Sequence, residues 1–164
     1  MEAHPHVRID NRLLHGQVVQ FWIPHLEIDH LLIADDGVAA NQAMLAVYRM
    51  ALPERVDLEV VPISDLPAAV ERGQGRSTMV LISDVLDAAR ARKHGFEFSR
   101  LTLGNVHSQP SRERVTDSVF LSPEELEVLL GLRAYGVTVE IQTFPGETLK
   151  LETDDGGAAT WVKR

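Results

Sequence analysis

The sequence predicts an α/β fold: a single domain on an open, mostly parallel twisted sheet of about six or seven strands, with helices on both faces. Three observations carry this. Short strand-like runs alternate with helix-period segments almost throughout, as in repeated strand–helix–strand units. Two of the runs, His30–Ala34 and Thr78–Ile82, are almost continuously apolar, the mark of strands buried on both sides. The 164 residues, 45% of them apolar, suffice for one domain burying roughly 70% of its extended-chain surface, and are too few for two comfortable ones.

Taken in order, Val7 and Ile9 alternate with Arg8 and Asp10 in a first strand. Val18, Val19, Trp22 and Ile23 then follow helical spacing, so residues 11–16 form a strand-to-helix loop. The second strand, 30–34, ends in Asp35, Asp36 and Gly37. Asn41 caps a helix with Met44, Leu45, Val47, Tyr48 and Ala51 on one face, closed by Pro53. Residues 58–61 form the third strand, Ser64 and Asp65 open a short helix through Val70, and Gly73, Gly75 and Ser77 mark a loop before the central strand at 78–82. Ser83 or Asp84 caps the next helix, which ends near Gly95.

A brief strand at 101–103 runs into Gly104, Asn105 and His107, and residues 108–114 have the composition of an exposed, mobile loop. Another sheet strand is expected at 119–121. After it, SPEELEVLLGLRAYG carries full helix punctuation: Ser122 as cap, Pro123 in the first position, Glu125 in the capping-box place, Gly136 as stop. Residues 137–144 alternate as the last strand. Residues 145–164 place Asp154, Asp155, Gly156 and Gly157 between two thinly apolar runs, and read as a C-terminal hairpin or a loose tail docked by Trp161.

Bulk chemistry narrows the function. A formal charge of −8 disfavours nucleic acid and anionic membrane surfaces, which bind clustered Lys and Arg. Without cysteine there is neither a disulfide nor a thiolate metal site, which fits a reducing compartment. The opening MEAHPH has no signal-peptide pattern, and no run approaches the roughly 20 apolar residues of a membrane span, so a soluble cytoplasmic protein is expected. No P-loop and no GxGxxG follows the first strand, so no nucleotide cofactor is expected. His4, His6, His25, His30 and His94 show no metal-ligand spacing and read as surface or packing residues.

Against this acidic background the first loop is a basic exception. It places His15 at the start of a helix, where unpaired backbone N–H groups and the positive dipole end favour an anion. Arg8 and Arg12 add guanidinium forks that suit phosphate oxygens. An imidazole so placed can attack a phosphoryl group and later surrender it, and Gly16 and Gln17 in the first helical turn are further candidates to touch the phosphate. The Gln17 amide reads equally well as helix surface. Asp10 has two readings: an ion pair that orients the arginines, favoured because Arg8 and Asp10 share a strand face, or a carboxylate that holds the His15 Nε2 proton. Asp35 and Asp36 beside His15 admit a metal-dependent phosphohydrolase, disfavoured because arginines already supply the positive charge. Asn105 and His107 lie at the same sheet edge, where shaping the loop is the simpler role for His107.

The segment VRIDNRLLHGQVV closely resembles the VRIDxRLxHGQV segment of the IIB subunits of the sugar phosphotransferase system, in the mannose/fructose/sorbose family. LLIADDGVA resembles that family's second strand and acidic loop, LTLGNVH its NxGxxH-type segment, and VTDSVFLSPEELEVLLGLRAYGVTVEIQ its strand, helix and last strand. Beyond Phe144 the likeness is poor. The resemblance implies phosphoryl carriage on Nδ1 of His15 without a metal, with a phosphorylated IIA protein or domain as donor and a membrane IIC/IID sugar transporter as acceptor. It implies Arg8, Arg12, Gly16 and Gln17 around the phosphate and Asp10, Asp36, Asn105 and His107 in support. Asp35 and Gly37 depart from the family pattern, which often has Asn and an acidic residue there. A regulatory phosphoprotein of the same fold is the alternative reading. Neither the sugar nor the oligomeric state is legible.

Overall fold

A computed structural model describes residues 4–164. Six strands run parallel in the spatial order β3 (Asp57–Val61), β2 (His30–Ala34), β4 (Thr78–Ile82), β1 (His6–Asp10), β5 (Arg100–Asn105), β8 (Thr138–Ile141). β9 (Leu149–Thr153) and β10 (Ala159–Lys163) then add antiparallel to β8, making eight strands in the sheet.

Both faces are covered, which is why β2 and β4 are wholly buried. One face carries α1, wound as a π-helix over Val18–Trp22 and continuing as Ile23–His25, and α3 (Gln42–Ala51); its core includes Trp22, Ile23, Leu31, Ile33, Tyr48, Met79 and Leu81. The other carries α4 (Leu66–Arg72), α5 (Val85–Lys93) and α6 (Pro123–Ala134) over Val7, Ile9, Leu32, Val80, Leu103 and Val139. The helix after β1 therefore goes to one face, while those after its neighbours β4 and β5 go to the other. Such a reversal opens a crevice at the carboxyl end of β1.

Expected caps are in place. Asn41, Asp84 and Ser122 each accept from a backbone N–H of the first turn, Ser122 and Glu125 close a reciprocal box, and Gly136 ends α6 at φ 92°. Met44 and Tyr48 of α3, and Leu52 just after it, pack on the core, whereas Val47 and Ala51, expected beside them, are exposed.

Three differences have physical causes. Residues 119–121 do not join the sheet: β7 (Phe120–Leu121) pairs with β6 (Glu113–Arg114) in a separate ribbon, bridged to β5 only by Val106–Val119. The tail forms the hairpin, not the loose end, because Leu151 is fully buried and half-buried Trp161 packs on the same core. That hairpin brings the sheet to eight strands. Finally, the exposed segment 108–114 is stapled: Arg112 donates to both Glu125 carboxylate oxygens, with Nη2–Oε1 at 2.7 Å, and Nη1 holds the His107 carbonyl at 2.9 Å. Both partners of that ion pair are under a tenth exposed.

Below β1's site end, His6 stacks on Trp22 at 5.6 Å with its Nε2 buried and unpartnered. Burial, aided by the charges of Arg8, Arg100 and His25, lowers its pKa to about 4. The unfolded chain takes up this proton near the ordinary histidine value of 6.5 and the folded chain near 4, so stability is lost as pH falls through that window. We expect the thermal midpoint to drop between pH 7 and pH 5, and His6→Phe to remove part of that drop; equal drops in both proteins would refute this assignment.

Candidate functional site

The loop at the end of β1 is held by its own apolar residues. Leu13 sits in the left-handed region at φ 56°, a strain of about 1–2 kcal/mol. Burial of Leu13 and Leu14, worth about 1.5–3 kcal/mol each, offsets it. The chain then turns at His15, whose carbonyl accepts from the N–H groups of Val18 and Val19 at 3.0 and 3.1 Å. The imidazole thus stands at the head of a helix starting at Gly16. The Gly16 and Gln17 N–H groups have no protein acceptor among the described residues.

Behind the ring lies Asp10, fully buried. Its Oδ2 meets His15 Nε2 at 2.8 Å and accepts from Asn105 Nδ2 at 2.8 Å, while Oδ1 accepts the Arg12 N–H at 3.0 Å. Burial alone would raise this carboxyl, but the bonds from His15, Asn105 and Arg12 hold it below the usual carboxylate range. An ionised carboxylate can only accept, so Nε2 carries the proton and Nδ1 the lone pair. Nδ1 has no hydrogen bond among the described residues, yet is not among the buried unpartnered atoms. The side chain is 13% exposed, and with Nε2 turned inward that exposure includes Nδ1.

Both readings of Asp10 are met: Arg8 Nε forms an ion pair with Oδ2 at 3.7 Å, and the closer partner is the histidine. The arrangement does correct Arg8 as a phosphate clamp. Arg8 is fully buried: Nη1 donates to the Gln142 carbonyl at 2.7 Å, and Nη2 to the Thr143 carbonyl at 3.1 Å and Gln17 Oε1 at 3.3 Å. Its guanidinium lies over Trp22, 4.7 Å from the ring centroid. Burial lowers its pKa, to about 10, so it remains a cation. Because these carbonyls turn toward Arg8, the chain leaves the sheet after Ile141, short of the expected 144.

Arg12 is exposed and makes no ion pair among the described residues. Gln17 accepts on Oε1 from Arg8 and from Asn105 Nδ2, the latter at 2.9 Å, which leaves its NH₂ unengaged beside the helix head. His107 is exposed, and the structure records its backbone bonds, not a contact to His15. Asp36 is not brought to the ring. It accepts from Ile63 N–H and Arg90, on a strand end separated from β1 by β4. Asp35 caps the short helix α2 (Asp36–Ala39) through Val38 N–H at 2.9 Å. Both carboxylates that suggested a metal are engaged elsewhere, and among the described residues no three metal-ligating side chains converge.

Two residues escaped the sequence reading. Asn11 donates to the Ser83 carbonyl at 2.6 Å and accepts the His107 N–H at 2.7 Å, tying together the loops after β1, β4 and β5. Its one signal was an amide side chain at a turn position. Gly104 is the extra residue of a bulge, since Ile9 pairs with Leu103 and Asp10 with Asn105. A Cβ there would overlap the Arg8 guanidinium.

With this geometry in hand, comparison with known proteins is specific. Residues 5–153 match the family described as PTS system sorbose subfamily IIB component. The chain belongs to that family. It is 25% identical over 137 residues to the PTS system sorbose-specific EIIB component of Klebsiella pneumoniae, spanning 82% of this chain and 84% of that one. It is 23% identical over 137 residues to the PTS system mannose-specific EIIAB component of Escherichia coli (strain K12), of which the match spans 42% and 82% of this chain. A crystal structure of manxB from Thermoanaerobacter tengcongensis superposes with a TM-score of 0.77 at 29% identity, over 90% of this chain and 94% of that one. Family membership makes this IIB chain a protein of the phosphotransferase type. No helix among the described residues is long and apolar enough to cross a membrane.

The Arg8–Gly104 contact leads to a stability test. Gly104→Ala should destabilise the IIB fold by about 1–3 kcal/mol or more, because the guanidinium is fixed by two carbonyls and cannot yield. Gly131→Ala, on an exposed helical turn with open space around it, should stabilise by roughly 0.5–1 kcal/mol. Urea unfolding of both variants decides it, and a neutral Gly104→Ala would mean that the guanidinium is free to move.

Proposed function

We propose that this chain is a cytoplasmic phosphocarrier that accepts a phosphoryl group on Nδ1 of His15 from the phosphohistidine of a IIA protein and passes it to a sugar held by a membrane IIC/IID transporter. The observation that carries this reading is the 2.8 Å contact between His15 Nε2 and the buried Asp10 carboxylate, which leaves Nδ1 as the free nucleophile. A relative whose printed name joins A and B in one chain supports a IIA partner.

In the transfer, the Nδ1 lone pair attacks phosphorus as the bond from phosphorus to the donor ring breaks, and that ring, a phosphoimidazolium protonated on its other nitrogen, leaves as neutral imidazole. The proton on Nε2 stays in place. The phosphorylated ring is then cationic, and Asp10 stabilises that charge through the existing hydrogen bond, so no proton moves and little reorganises. Arg12, the Gly16 and Gln17 N–H groups and the Gln17 amide provide donors for the phosphoryl oxygens. Arg8 supports the site from behind, fixing Gln17 and the 142–143 backbone. Asn105 holds both Asp10 and Gln17. His107 serves through its backbone, by locking the β5 loop onto Asn11.

The test is incubation with phosphoenolpyruvate, the general phosphocarrier proteins and a IIA donor, reading acid-labile phosphate on the protein. His15→Ala should remove all of it. Arg12→Ala and Asp10→Asn should each slow transfer by about 10–100-fold, the loss of one charge-assisted hydrogen bond. Undiminished labelling of His15→Ala would end the proposal.

A further inference from the structure

Phe21 and Phe144 are 46% and 51% exposed, yet their rings meet edge to face at 5.2 Å and 88°. They come from opposite ends of the chain and are held together by what lies next to each: Trp22 is buried and its Nε1 donates to the Thr143 carbonyl at 3.0 Å, the same carbonyl that accepts from Arg8. The pair is thus one joined apolar feature on anchored backbone. Tyr135, the most exposed aromatic ring elsewhere, follows α6 and so lies at the opposite end of the sheet.

We infer that Phe21 and Phe144 form the apolar anchor on which the phosphohistidine-bearing donor protein docks. This rests on the phosphocarrier reading and adds the surface that selects the donor. A specific protein contact covers about 800 Å² per partner, a disc of roughly 16 Å radius. Phe21 lies six residues along the chain from His15, at most about 9 Å along the helix axis. That places it within the reach of a donor that brings its phosphorus to Nδ1. Exposed aromatic rings inside such a footprint are the residue type on which binding energy concentrates. Beside Phe144 the surface continues into a cleft of about 480 Å³ whose lining mixes Ile141, Phe144, Pro145 and Leu149 with the carboxylates of Asp117 and Glu147, room for a side chain of the partner.

Charge favours the donor over the later acceptor. The unphosphorylated loop presents exposed Arg12 and a helix head, on a chain of net charge −8, and only the donor arrives carrying the phosphoryl anion that complements them. When the acceptor docks, this protein's own phosphoryl group already satisfies those donors.

The experiment measures initial rates of His15 phosphorylation against the concentration of a phosphorylated IIA domain, for wild type, Phe21→Ser, Phe144→Ser and the double variant. The half-saturating donor concentration should rise about 10-fold or more in the double variant, with the maximal rate little changed. Phe21→Leu should restore most of the loss. Labelling by the small donor phosphoramidate should match wild type, which also certifies the fold. Unchanged donor dependence with normal phosphoramidate labelling overturns the docking site alone, as does a defect confined to delivery to the sugar transporter. Absence of wild-type His15 labelling by either donor overturns the phosphocarrier reading and this inference with it.

Discussion

The site depends on one buried carboxylate. Asp10 is fully enclosed and ionised, a state that costs several kcal/mol unless its oxygens are met by donors. They are met by His15, Asn105 and the Arg12 backbone, with Arg8 close by. This solvation by the protein fixes the tautomer of His15 and orients its ring. The same bonds that stabilise a buried charge thereby aim a lone pair outward.

Holding the carboxylate there requires the sheet to deform. The bulge at Gly104 shifts the register so that Asn105, not Gly104, sits opposite Asp10, and the missing side chain at Gly104 makes room for the Arg8 guanidinium. Arg8 in turn reaches across to the 142–143 backbone and to Gln17. A cation buried this deeply neutralises the carboxylate two residues away and pins two other chain segments to β1. Asn11 performs the corresponding task on the other side, between the loops after β4 and β5. The site is accordingly held at its base by buried hydrogen bonds, while Arg12 and Gly16 at its rim are exposed. That division suits a protein whose chemistry needs fixed geometry and whose partners must come and go.

What the sequence alone determined was local. The order of strands and helices, the caps at Asn41, Asp84 and Ser122, the stop at Gly136 and the position of His15 between strand and helix all follow from neighbours a few residues apart, and the structure keeps them. Tertiary structure decided the rest, because the deciding contacts join residues far apart in the chain. Arg8 looked like a phosphate ligand since its position on a strand says which face it takes but not that Trp22 and the 142–143 backbone will cover that face. Asn105 lies 95 residues from the carboxylate it holds, and no period or spacing encodes that distance. The strand expected at 119–121 pairs instead with residues 113–114 and only bridges to Val106, and the tail hairpin joins the β8 edge, because a half-polar edge strand carries little hydrophobic signal until Leu151 and Trp161 have a core to enter.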